Sequence, residues 1–226
     1  MTTFPLEVRN DYLLASLNGC RWLVDTGCPV CIGNGRLNIG AEVVPLSPPI
    51  AGFDPVLLTE ITGVEVAGVL GASVLLRQGC CIDAPGGRLS LGPGAERGTP
   101  LPFTVERVPG QDLHILQTTL AGRPARIVFD TGAPLGYLSP HLAGALGEPT
   151  GHRRDFIGML GQWHETPVWE LDADLAGTAL TFQWGTLPPL LAMMFGMVNV
   201  DAVFGGELCL HRAVGFGPGG QSLYLL

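Results

Sequence analysis

Two aspartates in this chain close the same kind of segment: Trp22-Leu23-Val24-Asp25-Thr26-Gly27 and Ile127-Val128-Phe129-Asp130-Thr131-Gly132. A carboxylate at the end of an apolar run is costly unless a partner or hydrogen bonds offset its partial burial. Two carboxylates so placed meet that need if they come together. Carboxyls within hydrogen-bonding distance cannot both ionise readily, so one keeps a proton while the other is charged. The pair then holds an acid and a base over one water, which can attack a carbonyl carbon without a metal or an organic cofactor. Gly27 and Gly132 let the backbone turn close beneath the carboxyls, and the Thr26 and Thr131 hydroxyls can bond across to the opposite loop.

The elements that must position these loops are written twice. Tyr12 to Gly27 matches Leu113 to Gly132: a β-type run, a turn at Asn18-Gly19 or Ala121-Gly122, then a second apolar run ending in Asp-Thr-Gly. Similarity resumes at Gly68-Val-Leu-Gly-Ala-Ser-Val-Leu-Leu76 and Ala202-Val-Phe-Gly-Gly-Glu-Leu-Cys-Leu210, where a short helix is expected after each of Gly71 and Gly205. Final strands are expected at Arg88–Leu91 and Gln221–Leu225. From Asp25 to Gly71 is 46 positions and from Asp130 to Gly205 is 75, so the second copy carries 29 more residues. A Gly- and Pro-rich stretch, Gly92 to Pro102, lacks apolar periodicity and reads as a linker. The expected division is therefore 1–102 and 103–226.

Composition agrees with short strands and many turns: 33 Gly and 19 Pro in 226 residues, 14% charged, and a mean hydropathy of +0.35. An all-β class follows. A net charge of −8 with no cluster of Lys or Arg excludes a nucleic-acid groove or an anionic membrane surface as partner. Met1 to Asn10 has no basic segment leading an apolar run, and the apolar stretch Leu190 to Val198 contains Gly196 and is too short to span a bilayer. A cytoplasmic location with six reduced cysteines is expected.

The paired Asp-Thr-Gly loops, each followed downstream by two apolar residues and Gly (Val69-Leu70-Gly71, Val203-Phe204-Gly205), resemble the aspartic peptidases of the pepsin and retroviral type. The resemblance covers nearly the whole chain. It implies a bilobal acid-protease fold of two related, barrel-like β lobes, in the manner of a fused retroviral-type dimer. It implies also a monomer whose Asp25/Asp130 dyad, supported by Thr26, Gly27, Thr131 and Gly132, hydrolyses peptide bonds of an extended peptide or protein substrate. Phe156-Ile-Gly-Met-Leu-Gly-Gln-Trp163 resembles the Ile-Gly-x-x-Gly flap tip of the retroviral enzymes, which places Ile157, Gly158, Gly161 and Trp163 against substrate and His164 to Asp172 in the return strand. The first half offers only Ile61-Thr62-Gly63 as a flap remnant, so a single flap from the second half is expected.

Other chemistries have weaker support. Cys28 and Cys31 with Cys80 and Cys81 have the count for four thiolate ligands or a redox pair, but packing explains small buried cysteines better. The five histidines have no metal spacing. The residue after each Asp-Thr-Gly is Cys28 or Ala133, so neither loop carries the hydroxyl that stabilises the ionised dyad in acid-adapted members, and a mildly acidic to near-neutral optimum is expected. The rival function is a peptide-binding or scaffold protein of the same fold without turnover.

Overall fold

The computed structural model describes residues 1–49, 53–94, 97–108, 111–157 and 161–226. Each half carries, after one leading strand (Thr2–Arg9 or Phe103–Val108), the hairpin that the repeat predicts. Tyr12–Leu17 pairs with Cys20–Asp25 across Asn18 and Gly19, both at positive φ, and Gln111–Leu120 pairs with Arg123–Phe129 across Ala121 and Gly122, also at positive φ. Two residues with positive φ form the tight turn whose twist matches that of the flanking strands.

The second strand of each hairpin then pairs in parallel with a strand from far downstream. Cys20–Asp25 lies beside Gly68–Gly71, and Arg123–Phe129 beside Ala202–Phe204. A short strand that follows each Asp-Thr-Gly loop, Ile32–Gly33 or Gly136–Leu138, pairs antiparallel on the far side of that downstream strand. The glycine after each downstream apolar pair has a packing reason. A Cβ on Gly71 would collide with the Val30 carbonyl, and one on Gly205 with the Leu135 carbonyl, so the chain passes tightly under its own active loop only without a side chain. Helices Ala72–Leu75 and Glu207–His211 follow.

The two halves are joined by their last strands. Val214–Phe216 pairs with Cys80–Asp83, and Leu223–Leu225 reaches Thr99–Pro100, so one ten-stranded sheet runs from the C-terminal strands through Arg88–Leu91 and Thr2–Arg9 to the first active loop. An eight-stranded sheet holds the rest of the second half. Phe129, Phe204 and Phe216 are fully buried at this junction, with Phe129 packed 6.3 Å from Phe204 and 5.7 Å from Phe216 between ring centres. Burying each such ring contributes roughly 2–3 kcal/mol.

The segment expected to hold a flap remnant is instead a helix. Pro55–Thr62 starts at Asp54, whose carboxylate accepts the Val56 and Leu57 amides at 3.0 Å, has Pro at its first turn, and ends at Gly63 in the left-handed region. Ile61 and Thr62 are thus its last buried turn, not a hairpin tip. The 29 additional residues of the second half contribute to the long strands Gly151–Ile157, Gln162–Leu175 and Thr178–Thr186 and the helix Pro189–Gly196. Among the described residues, no helix is long and apolar enough to cross a membrane.

Candidate active site

Asp25 ends the strand Cys20–Asp25, and Asp130 directly follows the strand Arg123–Phe129. Sequence distance between them is large, yet the two loops interlock. The Thr26 amide donates to Thr131 Oγ1 at 3.0 Å, and the Thr131 amide donates to Thr26 Oγ1 at the same distance. Each hydroxyl in turn donates to a carbonyl before the opposite aspartate: Thr131 to Val24 at 2.9 Å and Thr26 to Phe129 at 3.4 Å. Both threonines are buried, so four reciprocal bonds in a dry setting fix the separation of the loops.

The carboxyls meet at this junction. Asp25 is 4% exposed, and its carboxyl lies close enough to that of Asp130 for each to shift the other's ionisation. Each glycine lies under the opposite carboxyl: a Cβ on Gly27 would overlap the Asp130 carboxyl carbon, and one on Gly132 that of Asp25. The Cys28 amide donates to Asp25 Oδ1 at 2.8 Å, and the Gly132 amide to Asp130 Oδ1 at 2.9 Å. Desolvation and the neighbouring charge of Asp130 push Asp25 well above the usual carboxylate range. Asp130 is raised as well by burial, but its bond from Asp25 and the Gly132, Gly27 and Ala133 amides pull it back. Burial and mutual repulsion therefore keep one proton on the pair above the usual carboxylate range.

Around the dyad is a cavity of about 360 Å³. Its walls are apolar: Tyr12, Leu23, Leu58 and Ile61 from the first half, and Tyr137, Phe156, Leu187 and Phe195 from the second. A second cavity of about 330 Å³ is lined by Gly27 and Pro29, which also line the first, and by the polar side chains of Ser73, Arg77, Asp112 and His114.

Among solved structures, the crystal structure of the aspartic proteinase from Irpex lacteus matches 99% of this chain and 96% of its own length, with a TM-score of 0.53 at 10% sequence identity. The chain has the bilobal, all-β acid-protease fold. No protein-family model matches it, and no curated protein sequence does.

Against that fold, the hairpin of the second half lies at the cleft. Gly151–Ile157 pairs with Gln162–Leu175 in the register Phe156↔Trp163 and Ile157↔Gln162. Gly158 lies outside the described residues, and Ile157 is described by its backbone alone. Gly161 follows the tip with φ 61°. Trp163, expected in the pocket, is 40% exposed and does not line the cavity. Its ring packs edge-on against Phe156 at 5.4 Å, with the Arg154 guanidinium 4.5 Å above it. Phe156, 5% exposed, is the aromatic that faces the cleft. Strand pairing puts both aromatics on one face; the cluster that receives Phe156 decides which of them is inside.

Cys28 lines the cavity, but its thiol is held and protonated. Cys28 Sγ donates to the Val30 carbonyl at 3.2 Å, and burial with the charge of Asp25 pushes its pKa up to about 12, so no nucleophilic thiolate forms near neutrality. Cys31 Sγ accepts the Gly71 amide and lies beside Ser73 Oγ. All six cysteines are free, and among the described residues no three His, Cys, Asp or Glu side chains group as a metal would need.

Sequence reasoning missed Asp155, the inward carboxyl of the hairpin. It is 4% exposed, its Oδ2 has no partner, and burial raises its pKa from 3.8 to about 6. Below pH 3.8 it is protonated in both folded and unfolded chains and has no effect. Between 3.8 and 6 the unfolded chain ionises first, so stability falls as pH rises, to a cost of roughly 3 kcal/mol above pH 6. Asp155→Asn is therefore expected to stabilise the protein by about 1–3 kcal/mol at about pH 7.5 and by almost nothing at about pH 3.5. Denaturant melts at the two pH values check this; an equal effect at both would mean that ionisation of Asp155 is not the cause.

Proposed function

We propose that this protein is an aspartic endopeptidase whose two lobes, 1–102 and 103–226, each contribute one aspartate to a single hydrolytic centre. The observation that carries the reading is the reciprocal bonding of Thr26 and Thr131, which holds two carboxyls at one point, both raised above the usual carboxylate range.

A water held between the carboxyls loses a proton to Asp130 as its oxygen attacks the peptide carbonyl carbon. Asp25 gives its proton to the carbonyl oxygen, so the tetrahedral intermediate forms as a neutral diol. Asp130 then passes its proton to the amide nitrogen, the C–N bond breaks, and a diol hydroxyl returns a proton to Asp25. The dyad ends as it began. The apolar cavity walls favour large apolar side chains beside the cut, and the adjoining polar cavity gives an extended peptide room to continue. The hairpin bearing Phe156 serves as the single flap, with Ile157, Gly158 and Gly161 at its tip, and the protein acts as a monomer.

Neither Cys28 nor Ala133 brings a hydroxyl to the dyad, and Cys28 Sγ bonds elsewhere. The ionised state thus has backbone amide donors but no side-chain hydroxyl beside them, and the working range is displaced upward from strong acid. Digestion of a mixed peptide library from about pH 3 to 8 by the purified protein tests both points. The expected result is cleavage between apolar residues, with a maximum between about pH 5 and 7. A maximum below about pH 3 would overturn the electrostatic argument. Binding of peptides without cleavage at any pH would favour a scaffold of the same fold.

A further inference from the structure

The hairpin Gly151–Ile157/Gln162–Leu175 belongs by sequence to the second repeat, yet the first repeat holds it. Phe156 is buried in an apolar cluster whose other core members, Tyr12, Leu14, Leu23, Leu58 and Ile61 among them, all come from the first half. Three residues back along the same strand, the Arg153 guanidinium pairs with Asp11 Oδ2 at 2.7 Å. Asp11 sits at positive φ in the turn that leads into Tyr12. Between the two contacts, Asp155 is buried, and its charge, with those of Arg153 and Asp11, acts on the Tyr12 hydroxyl. One short stretch of the hairpin therefore makes an apolar and an ionic contact with the opposite half.

We propose that Phe156 and the Arg153–Asp11 pair form a latch by which the first half holds the second half's hairpin over the cleft. It rests on the peptidase reading only in taking the cleft as a peptide site. The helix Pro55–Thr62, formed by the segment in which a first-half flap remnant was expected, supplies part of the seat through Leu58 and Ile61. This gives a reason for one flap: the half without a hairpin carries the dock for the other. Tyr12, Leu23, Leu58 and Ile61 line the central cavity as well as seating Phe156. Lifting the hairpin to admit a peptide therefore unseats Phe156 and parts Arg153 from Asp11. The three are positioning residues, acting on substrate entry and not on the dyad.

Amide hydrogen exchange on the full chain tests the latch without any substrate, so its outcome does not depend on whether the protein cleaves peptides. Phe156→Ala is expected to speed exchange in 151–157 and 162–168 at least about tenfold, from the lost burial of one aromatic ring. Asp11→Ala is expected to speed it roughly two- to fivefold, the scale of an exposed ion pair. Exchange in Arg123–Phe129 stays at the wild-type rate in both. Combining Asp11→Arg with Arg153→Asp returns the hairpin toward the wild-type rate, and Phe156→Leu, the milder change should alanine fold poorly, gives an intermediate one. On a peptide that the wild type cuts, Asp11→Ala shifts KM while the pH profile of kcat is unchanged. Hairpin exchange at the wild-type rate in both Asp11→Ala and Phe156→Ala would overturn the latch, as would an equal rise across the whole chain.

Discussion

Asparagine in place of either Asp25 or Asp130 is expected to lower kcat by about 10³-fold or more while leaving KM within a few-fold of wild type. The amide keeps the shape and can still accept the Cys28 or Gly132 N–H through its oxygen. What it cannot do is pass a proton between water and substrate. Because the acid and base roles belong to the pair, losing either member should cost about as much as losing both. The same substitution should stabilise the fold near neutrality. Asp25 is held well above the usual carboxylate range, so above its unfolded pKa of 3.8 the native state carries a cost that the unfolded chain escapes. Asp25→Asn removes that cost, and its advantage fades as pH falls through 3.8. Kinetics on one cleaved peptide and denaturant melts at about pH 7 and about pH 3 check the two halves of this expectation. Retained turnover in either variant would move the chemistry away from the dyad.

Adding a single methyl beneath the carboxyls should be nearly as damaging. In Gly27→Ala the new Cβ would overlap the Asp130 carboxyl carbon, and in Gly132→Ala that of Asp25. An aspartate side chain is short, and both carboxyls are fixed by amide donors on the same loops, so the clash is relieved only by moving the dyad or prising apart the threonine bonds. Displacement of about 1 Å at a reacting centre costs on the order of 10²-fold. Each alanine variant is expected to lose at least that in kcat, with the loss in the chemical step and not in peptide binding. Gly147→Ala is the control, because a Cβ there meets nothing, and its kcat should stay within about twofold of wild type. Full activity in Gly27→Ala would mean that the loops do not approach each other this closely.

Much of this arrangement was legible because it is local and repeated. The Asn18-Gly19 turn, the apolar run into Asp25 and the matching run into Asp130 are short-range patterns, and each of two copies supports the other. The helix Pro55–Thr62 was also signalled, by Asp54-Pro55 at its start and Gly63 at its end, but an eight-residue helix with β-branched residues has a weak local signal beside Ile61-Thr62-Gly63, which has the look of a hairpin tip. Other features depend on contacts that no local pattern specifies. Arg153 and Asp11 are far apart in the chain, and Val214–Phe216 crosses to a strand of the other half. The choice between Phe156 and Trp163 as the cleft aromatic turns on a first-half cluster that must form before either has an inside to face. Asp155 gave no signal because a polar residue in an alternating strand ordinarily faces water.

The most direct test of the central claim is to titrate the two dyad carboxyls themselves, by carbon NMR of the intact protein labelled at aspartate, from about pH 2 to 9. The two dyad signals are expected to titrate as a coupled pair that keeps one proton above the ordinary carboxylate range, and in Asp25→Asn the Asp130 signal is expected to lose that coupling. Two independent titrations near about pH 4, each indifferent to substitution of the other, would contradict it.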